Sequence, residues 1–179
     1  MSITSLKGVI MHSDWISATV LDLGGNSSIV QSGNGTLPAA KDFKLGVVSL
    51  AQQCFLHQPP LPIELEHAIE LTEDVVMPLA SQFAASPLLV LQGMGAQIIV
   101  KAIAASDTVQ ATFTLTLDQV ESLFNRLVAV SEGRPASQEF MPIDKSLFAS
   151  VLILREFMHH LSFTQVTLQA RGIGHPETR

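Results

Sequence analysis

The chain has no tyrosine, one tryptophan (Trp15) and one cysteine (Cys54). A single thiol cannot close an intrachain disulfide, which excludes a disulfide-built scaffold and suits a reducing, cytoplasmic compartment. So few aromatics leave no platform on which nucleic-acid bases could stack. Charge is scarce as well: only 15% of the 179 residues are charged, with 10 bases against 16 acids and a net charge of −6. The bases are scattered, and Lys41 and Lys44 are the closest pair. Without a basic cluster to release counterions, no nucleic acid is expected as a partner. The first fifteen residues, MSITSLKGVIMHSDW, hold one lysine and no long apolar core, so they do not read as a secretion signal.

Apolar residues are plentiful, at 47%. The length suits one domain, 1–179, able to bury a core without metals or disulfides. The low charge points to apolar surface covered by a partner. Residues 75–100 carry no charge and are numerous enough to span a bilayer. However, Pro78, Pro87, Gln82, Gln92, Gln97 and the Gly93–Gly95 pair interrupt them. That pattern reads as a helix end, a buried strand and a second helix, and no membrane insertion is expected.

Residues 8–11, 16–23 and 27–32 read as a three-stranded meander, with ISATVLDL as its central strand. GNG at 33–35 marks a turn, and about six to eight residues later the chain becomes helix-like. A helix is expected over 46–55. A longer one runs from Leu65 to Phe83, where apolar residues recur at three and four. The acids Glu64, Glu66, Glu70, Glu73 and Asp74 suit its positive end and read as a solvated face. A buried strand follows at 87–93, a helix at 95–105, and a strand or extended connector at 109–115. Thr116 and Gln119 form a capping box for a helix ending near Ser131. A polar loop at 132–139, a helix at 144–161 and a closing strand at 163–169 complete an α/β order, with an antiparallel portion joined to parallel crossover strands.

The stretch LDLGGNSSIV, residues 21–30, ends a strand in an aspartate and turns through two glycines. Bare glycine lets backbone N–H groups approach a phosphate, and a following serine adds a hydroxyl. A second glycine element, Gly93-Met94-Gly95, lies between a buried strand and a helix, whose N-terminus also favours an anion. In open α/β sheets ligands collect at the carboxyl ends of strands, where both elements would lie.

These residues resemble the exopolyphosphatase and guanosine pentaphosphate phosphohydrolase (Ppx/GppA) family. Asp22 to Val30 is similar to its D-I-G-G-G-S-T-E-L strand-turn-strand. Leu45 to Gln52 resembles a following L-G-A-V-S-L-T-E phrase, and Gly93 to Gln97 its G-A-S-G-T loop. Residues 117–130 and 149–154 resemble two of its helices. The resemblance implies the second lobe of the actin-like ATPase (ribonuclease H-like) fold, a mixed sheet with an antiparallel meander and flanking helices. It implies residual phosphate binding by Asp22, Gly24, Gly25, Asn26, Ser27, Gly93 and Gly95, with Mg²⁺ entering only alongside a phosphate ligand.

The departures from the family pattern bear on activity. Asn26 replaces the third glycine and Ile29 the acid, Gly95-Ala96-Gln97 lacks the second loop's hydroxyls, and the family's Arg and Asp before the last helix fall near Ile143 and Lys145. The family's first lobe, with its other phosphate loop and water-activating glutamate, has no counterpart within these residues. Hydrolysis needs a positioned water, a base and charge stabilisation. The expectation is therefore a degenerate, non-catalytic relative that binds a phosphate ligand or a protein. It would pair with itself or a partner through the face left by the missing lobe. The alternative is a hydrolase of polyphosphate or guanosine pentaphosphate completed by that lobe or by a partner chain.

No metal site is assigned. His159 and His160 are adjacent on a helix and cannot share one face, and His12, His57 and His67 stand apart. Cys54 lies on an apolar helix face and reads as core. Ser27 lacks the strand-turn-helix elbow of a nucleophile.

Overall fold

The computed structural model describes residues 18–32, 39–83, 88–104, 111–139 and 141–170. The strand expected at 8–11, the turn at 33–35 and His12 lie outside them. β1 (Ala18–Leu23), β2 (Ser28–Ser32) and β3 (Ala39–Phe43) form an antiparallel meander. β4 (Leu88–Gln92) runs parallel to β1, and β6 (Gln165–Ala170) parallel to β4. β5 (Ala111–Thr116) closes the far edge antiparallel to β6. The resulting six-stranded mixed sheet has the order β3-β2-β1-β4-β6-β5.

Its buried face carries Leu21, Leu23, Val30, Leu89, Leu91, Val166 and Leu168, all essentially without solvent contact. The opposite face is polar at its edges, with Gln31, Thr112 and Thr114 exposed. β3 is a correction to the sequence reading, which placed the three meander strands at 8–11, 16–23 and 27–32 and expected a helix-like chain about six to eight residues after the turn at 33–35. AAKDF has weak strand propensity, and its exposed Lys41 and Asp42 mark an edge strand, where charge blocks further pairing. β5 settles the open alternative at 109–115 in favour of a strand.

The helices are α1 (Val47–Cys54), α2 (Pro62–Val76), α3 (Ala80–Phe83), α4 (Gly93–Ile103), α5 (Leu117–Ser131) and α6 (Lys145–His160). The helix expected from Leu65 to Phe83 is broken by a 3₁₀ turn, Met77–Leu79, where Pro78 removes a donor. α4 begins at Gly93, two residues earlier than its sequence pattern suggests. The Thr116–Gln119 box is reciprocal: Thr116 Oγ1 accepts from the Gln119 amide at 3.2 Å, and Gln119 Oε1 from the Thr116 amide at 2.9 Å. No helix among the described residues is long and apolar enough to cross a membrane.

α6 is the centre of the helical layer. It is buried without a break from Leu147 to Leu154, and again at Phe157 and Met158. An all-round apolar helix must be covered all round, and α1, α2, α4 and α5 cover it. Asp144 caps it, its Oδ1 accepting from the Leu147 amide at 2.8 Å.

One acid expected on a solvated face is buried. Glu64 is only 8% exposed. It folds back on the segment ahead of α2, accepting from the amides of Leu61 (3.0 Å) and Leu56 (3.0 Å) and meeting His57 Nδ1 at 2.8 Å. Burial alone would push the carboxyl up. The His57 ring and the amides of Leu61, Leu56 and His57 outweigh it and hold Glu64 down at about 2, from an ordinary value of 4.5. Lys145 Nζ fastens the same segment through the carbonyls of Phe55 (2.8 Å) and Leu56 (3.0 Å), and Ser131 Oγ through that of Pro60 (2.6 Å).

A carboxylate held below its unfolded value stabilises the fold at pH above that value, and the contribution fades as pH falls through the folded one. For Glu64 it is about 3 kcal/mol at neutral pH. Glu64→Gln should therefore lower stability at pH 7 by about 2–3 kcal/mol in urea denaturation. The difference from wild type should shrink as pH falls from 4.5 towards 2. A gap independent of pH would show that the ionised carboxylate is not what holds the segment.

Candidate functional site

β1 and β4 are parallel and end side by side, Asp22 in register with Gln92. β1 runs on into the turn at residues 24–27, and β4 into α4. Parallel pairing thus brings the two glycine elements to one edge of the sheet, the edge where open α/β sheets collect ligands. The Met94 Sδ–Cε end lies over Gly25, 3.5 Å from where a Cβ would stand.

The turn is held from below by α1. The Val47 amide donates to the Gly24 carbonyl at 2.9 Å, and those of Val48 and Ser49 to the Gly25 carbonyl at 2.7 and 3.1 Å. Ser49 Oγ donates to the Asn26 carbonyl at 3.2 Å and accepts from the Gly46 amide at 3.0 Å. Ser28 Oγ donates to the Leu45 carbonyl at 2.6 Å. The first amides of a helix lack intrahelical partners, and here the turn's carbonyls satisfy them. α1 is therefore spent on the fold and offers nothing to an anion. The amides of Gly25, Asn26 and Ser27 have no acceptor among the described residues. Asn26 and Ser27 are exposed, and Gly25 half-buried. Beside them α4 begins without a side-chain cap from Gln92.

Asp22 is half-buried, and its Oδ2 accepts from Gln92 Nε2 at 2.9 Å. Oδ1 lies against Gly93, only 2.3 Å from where a Cβ would stand, and Gly93 has φ +84°. Glycine is required at 93 on both counts. Gly95 is buried beneath Leu23, with Leu23 Cδ2 at 2.3 Å from its missing Cβ, so its bareness serves helix–sheet packing. Asp22, the turn and Gly93 are thus brought together, while Gly95 lies under them. The sequence reading missed Gln92, Met94 and the α1 amides. A polar residue closing a buried strand (LLVLQ) was the available signal for Gln92.

Ile29 pairs with Asp22 across β1 and β2 and is 38% exposed, so an apolar side chain stands beside the aspartate. The next carboxylate in that row, Asp42, pairs with Ile29 from β3. It is therefore two strands from Asp22, about 10 Å. Cys54 is buried, and burial, then the Glu64 charge, push its thiol up, which makes it core and not nucleophile.

A sequence model of the Ppx/GppA phosphatase family matches residues 4–175. No curated protein matches the chain. Solved structures do. The crystal structure of the Aquifex aeolicus Ppx/GppA family member is 18% identical with a TM-score of 0.66, covering 87% of this chain and 52% of that one. An exopolyphosphatase-like protein is 13% identical with a TM-score of 0.70, covering 91% and 58%. An exopolyphosphatase from Cytophaga hutchinsonii is 18% identical with a TM-score of 0.60, covering 87% and 54%. The chain therefore spans little more than half the length of these structures, and at such identities the likeness is one of fold.

The surroundings of the glycines predict a contrast. Gly93→Ala should cost at least about 2 kcal/mol in urea denaturation, from the left-handed backbone and the contacts with Asp22 and Leu23. Gly25→Ala should stay within about 0.5 kcal/mol of wild type, because its Cβ meets only ordinary contacts. Equal losses would contradict this geometry.

Proposed function

Because the chain belongs to the Ppx/GppA phosphatase family, we propose that it is a phosphate-ligand-binding and interaction module on the second-lobe fold of that family, and not a hydrolase on its own. The carrying observation is the polarity of the turn. The carbonyls of Gly24, Gly25 and Asn26 are bound to α1, and the amides of Gly25, Asn26 and Ser27 have no acceptor among the described residues. A row of amides at a glycine turn beside a helix start is a cradle for phosphate oxygens.

Hydrolysis asks for more than a cradle. Attack on a phosphoanhydride needs a base to orient water and cations to take up the charge of the leaving phosphate. Asp22 is occupied by Gln92, and its cross-strand neighbour is Ile29. Mg²⁺ fits only as a companion of the ligand: Asp22 offers one carboxylate, and Mg²⁺ is ordinarily held by one or two plus the phosphates themselves. Its chemistry there would be charge neutralisation between phosphate oxygens.

The rim of the turn is apolar. Ile29 and Met94 are exposed, at 38% and 41%. This supports a second copy or a protein partner seated over the turn. A second reading has its own support: the chain covers only 52–58% of its solved relatives. On that reading it is one half of a hydrolase of polyphosphate or guanosine pentaphosphate, completed by residues supplied elsewhere.

Thermal unfolding with polyphosphate, guanosine tetraphosphate, ADP and ATP, each with and without Mg²⁺, tests the cradle. A ligand at a hundred times its Kd should stabilise the protein by about 2.7 kcal/mol. Gly25→Val should abolish the shift, with circular dichroism verifying that the variant is folded. No shift with any of these ligands, or a shift that survives Gly25→Val, would remove the cradle. Phosphate release from polyphosphate only when the completing lobe or partner is supplied would decide for the half-hydrolase, and release by the chain alone would overturn both readings.

A further inference from the structure

α6 ends where the chain enters β6, at the amino-terminal edge of the parallel strands and so across the sheet from the glycine turn. Glu156 and His160 stand one turn apart on α6 and share a face. Glu73 on α2 meets them. His160 Nε2 lies 3.5 Å from Glu73 Oε1 and 3.6 Å from Glu156 Oε2, and one ligand atom from each residue lies within 4.8 Å of the others. These separations are long for hydrogen bonds. They match the edge of a coordination tetrahedron: two ligands about 2.0–2.1 Å from zinc are about 3.4 Å apart.

The surroundings orient this set. Glu156 is buried, its side chain 3% exposed, and the Arg155 guanidinium holds its Oε1, leaving Oε2 turned to His160. Arg155 is shared with Glu121, at 3.0 Å, and His159 also pairs with Glu121. The adjacent histidines thus serve different groups, as their placement on the helix requires. Two carboxylates, Glu121 and Glu156, share the one arginine, and Glu73 pairs with His160 alone among the described residues.

We propose that Glu73, Glu156 and His160 bind a divalent transition-metal ion, Zn²⁺ in the first place. An imidazole with two carboxylates selects such an ion over Mg²⁺ or Ca²⁺. Arg155 orients the buried carboxylate from behind. The side chains of Glu73 and His160 are 39% and 25% exposed, so the ion can enter from solvent and keep a water in its fourth position. Bound there, it clamps α2 to the end of α6. The acids of α2 show no ligand spacing among themselves because the histidine comes from another helix.

Co²⁺ titration of the whole chain tests this, since tetrahedral Co²⁺ absorbs visible light strongly. We expect one equivalent to bind with such a band, Zn²⁺ to displace it, and the bound chain to melt at a higher temperature. His160→Gln and Glu73→Gln should each weaken binding about tenfold or more, while His67→Gln should not. Glu73 is partly exposed, so its variant keeps the fold, and circular dichroism verifies this for both. Absence of Co²⁺ uptake, or uptake that persists at wild-type affinity in either variant, overturns the proposal.

Discussion

The bonds from the first amides of α1 to the carbonyls of Gly24 and Gly25 are the constraint from which the rest of the site follows. They join the β1–β2 turn of the meander to the helical layer. They also decide the turn's polarity, since a carbonyl held by α1 commits its peptide unit to that orientation. Gly46 must be bare for this contact: a Cβ there would stand 2.5 Å from the Gly25 carbonyl oxygen. Two helix starts flank the turn, and they are used differently. α1 caps itself on the turn, and α4 is left without a side-chain cap.

α6 carries this arrangement. It packs against α1, which holds the turn, and against α4, which places Gly93 beside Asp22. Each large apolar residue buried along it contributes about 1.5–3 kcal/mol. Truncating one such as Phe148 or Phe157, both without solvent contact, is expected to cost about 3–5 kcal/mol. The position of the glycine turn is thus a consequence of core packing some distance beneath it.

What the sequence disclosed follows the range of each interaction. The β-branched, apolar run ISATVLDL, the Thr116–Gln119 box and the apolar run of α6 are local, and each is legible from neighbouring residues. So were the aspartate and glycines at 22–25, which carry the family likeness. β3 was hidden because AAKDF becomes a strand only by pairing with β2. Glu64 looked like its exposed neighbours, since nothing within α2 shows that the preceding segment folds over it. The meeting of Glu73 with Glu156 and His160 depends on two helices distant in sequence packing together. The polarity of the turn was likewise unreadable, because it is set by amides more than twenty residues away.

The central claim is that the amides of Gly25, Asn26 and Ser27 form a phosphate cradle. A ¹⁵N–¹H correlation spectrum recorded during titration with tripolyphosphate and Mg²⁺ tests it most directly. The account predicts saturable shifts that are largest at Gly25, Asn26 and Ser27 and reach Met94 across the turn, with the Val47 and Val48 amides, already bound to carbonyls, moving less. Shifts confined to the scattered lysines and arginines, or none at all, would contradict it.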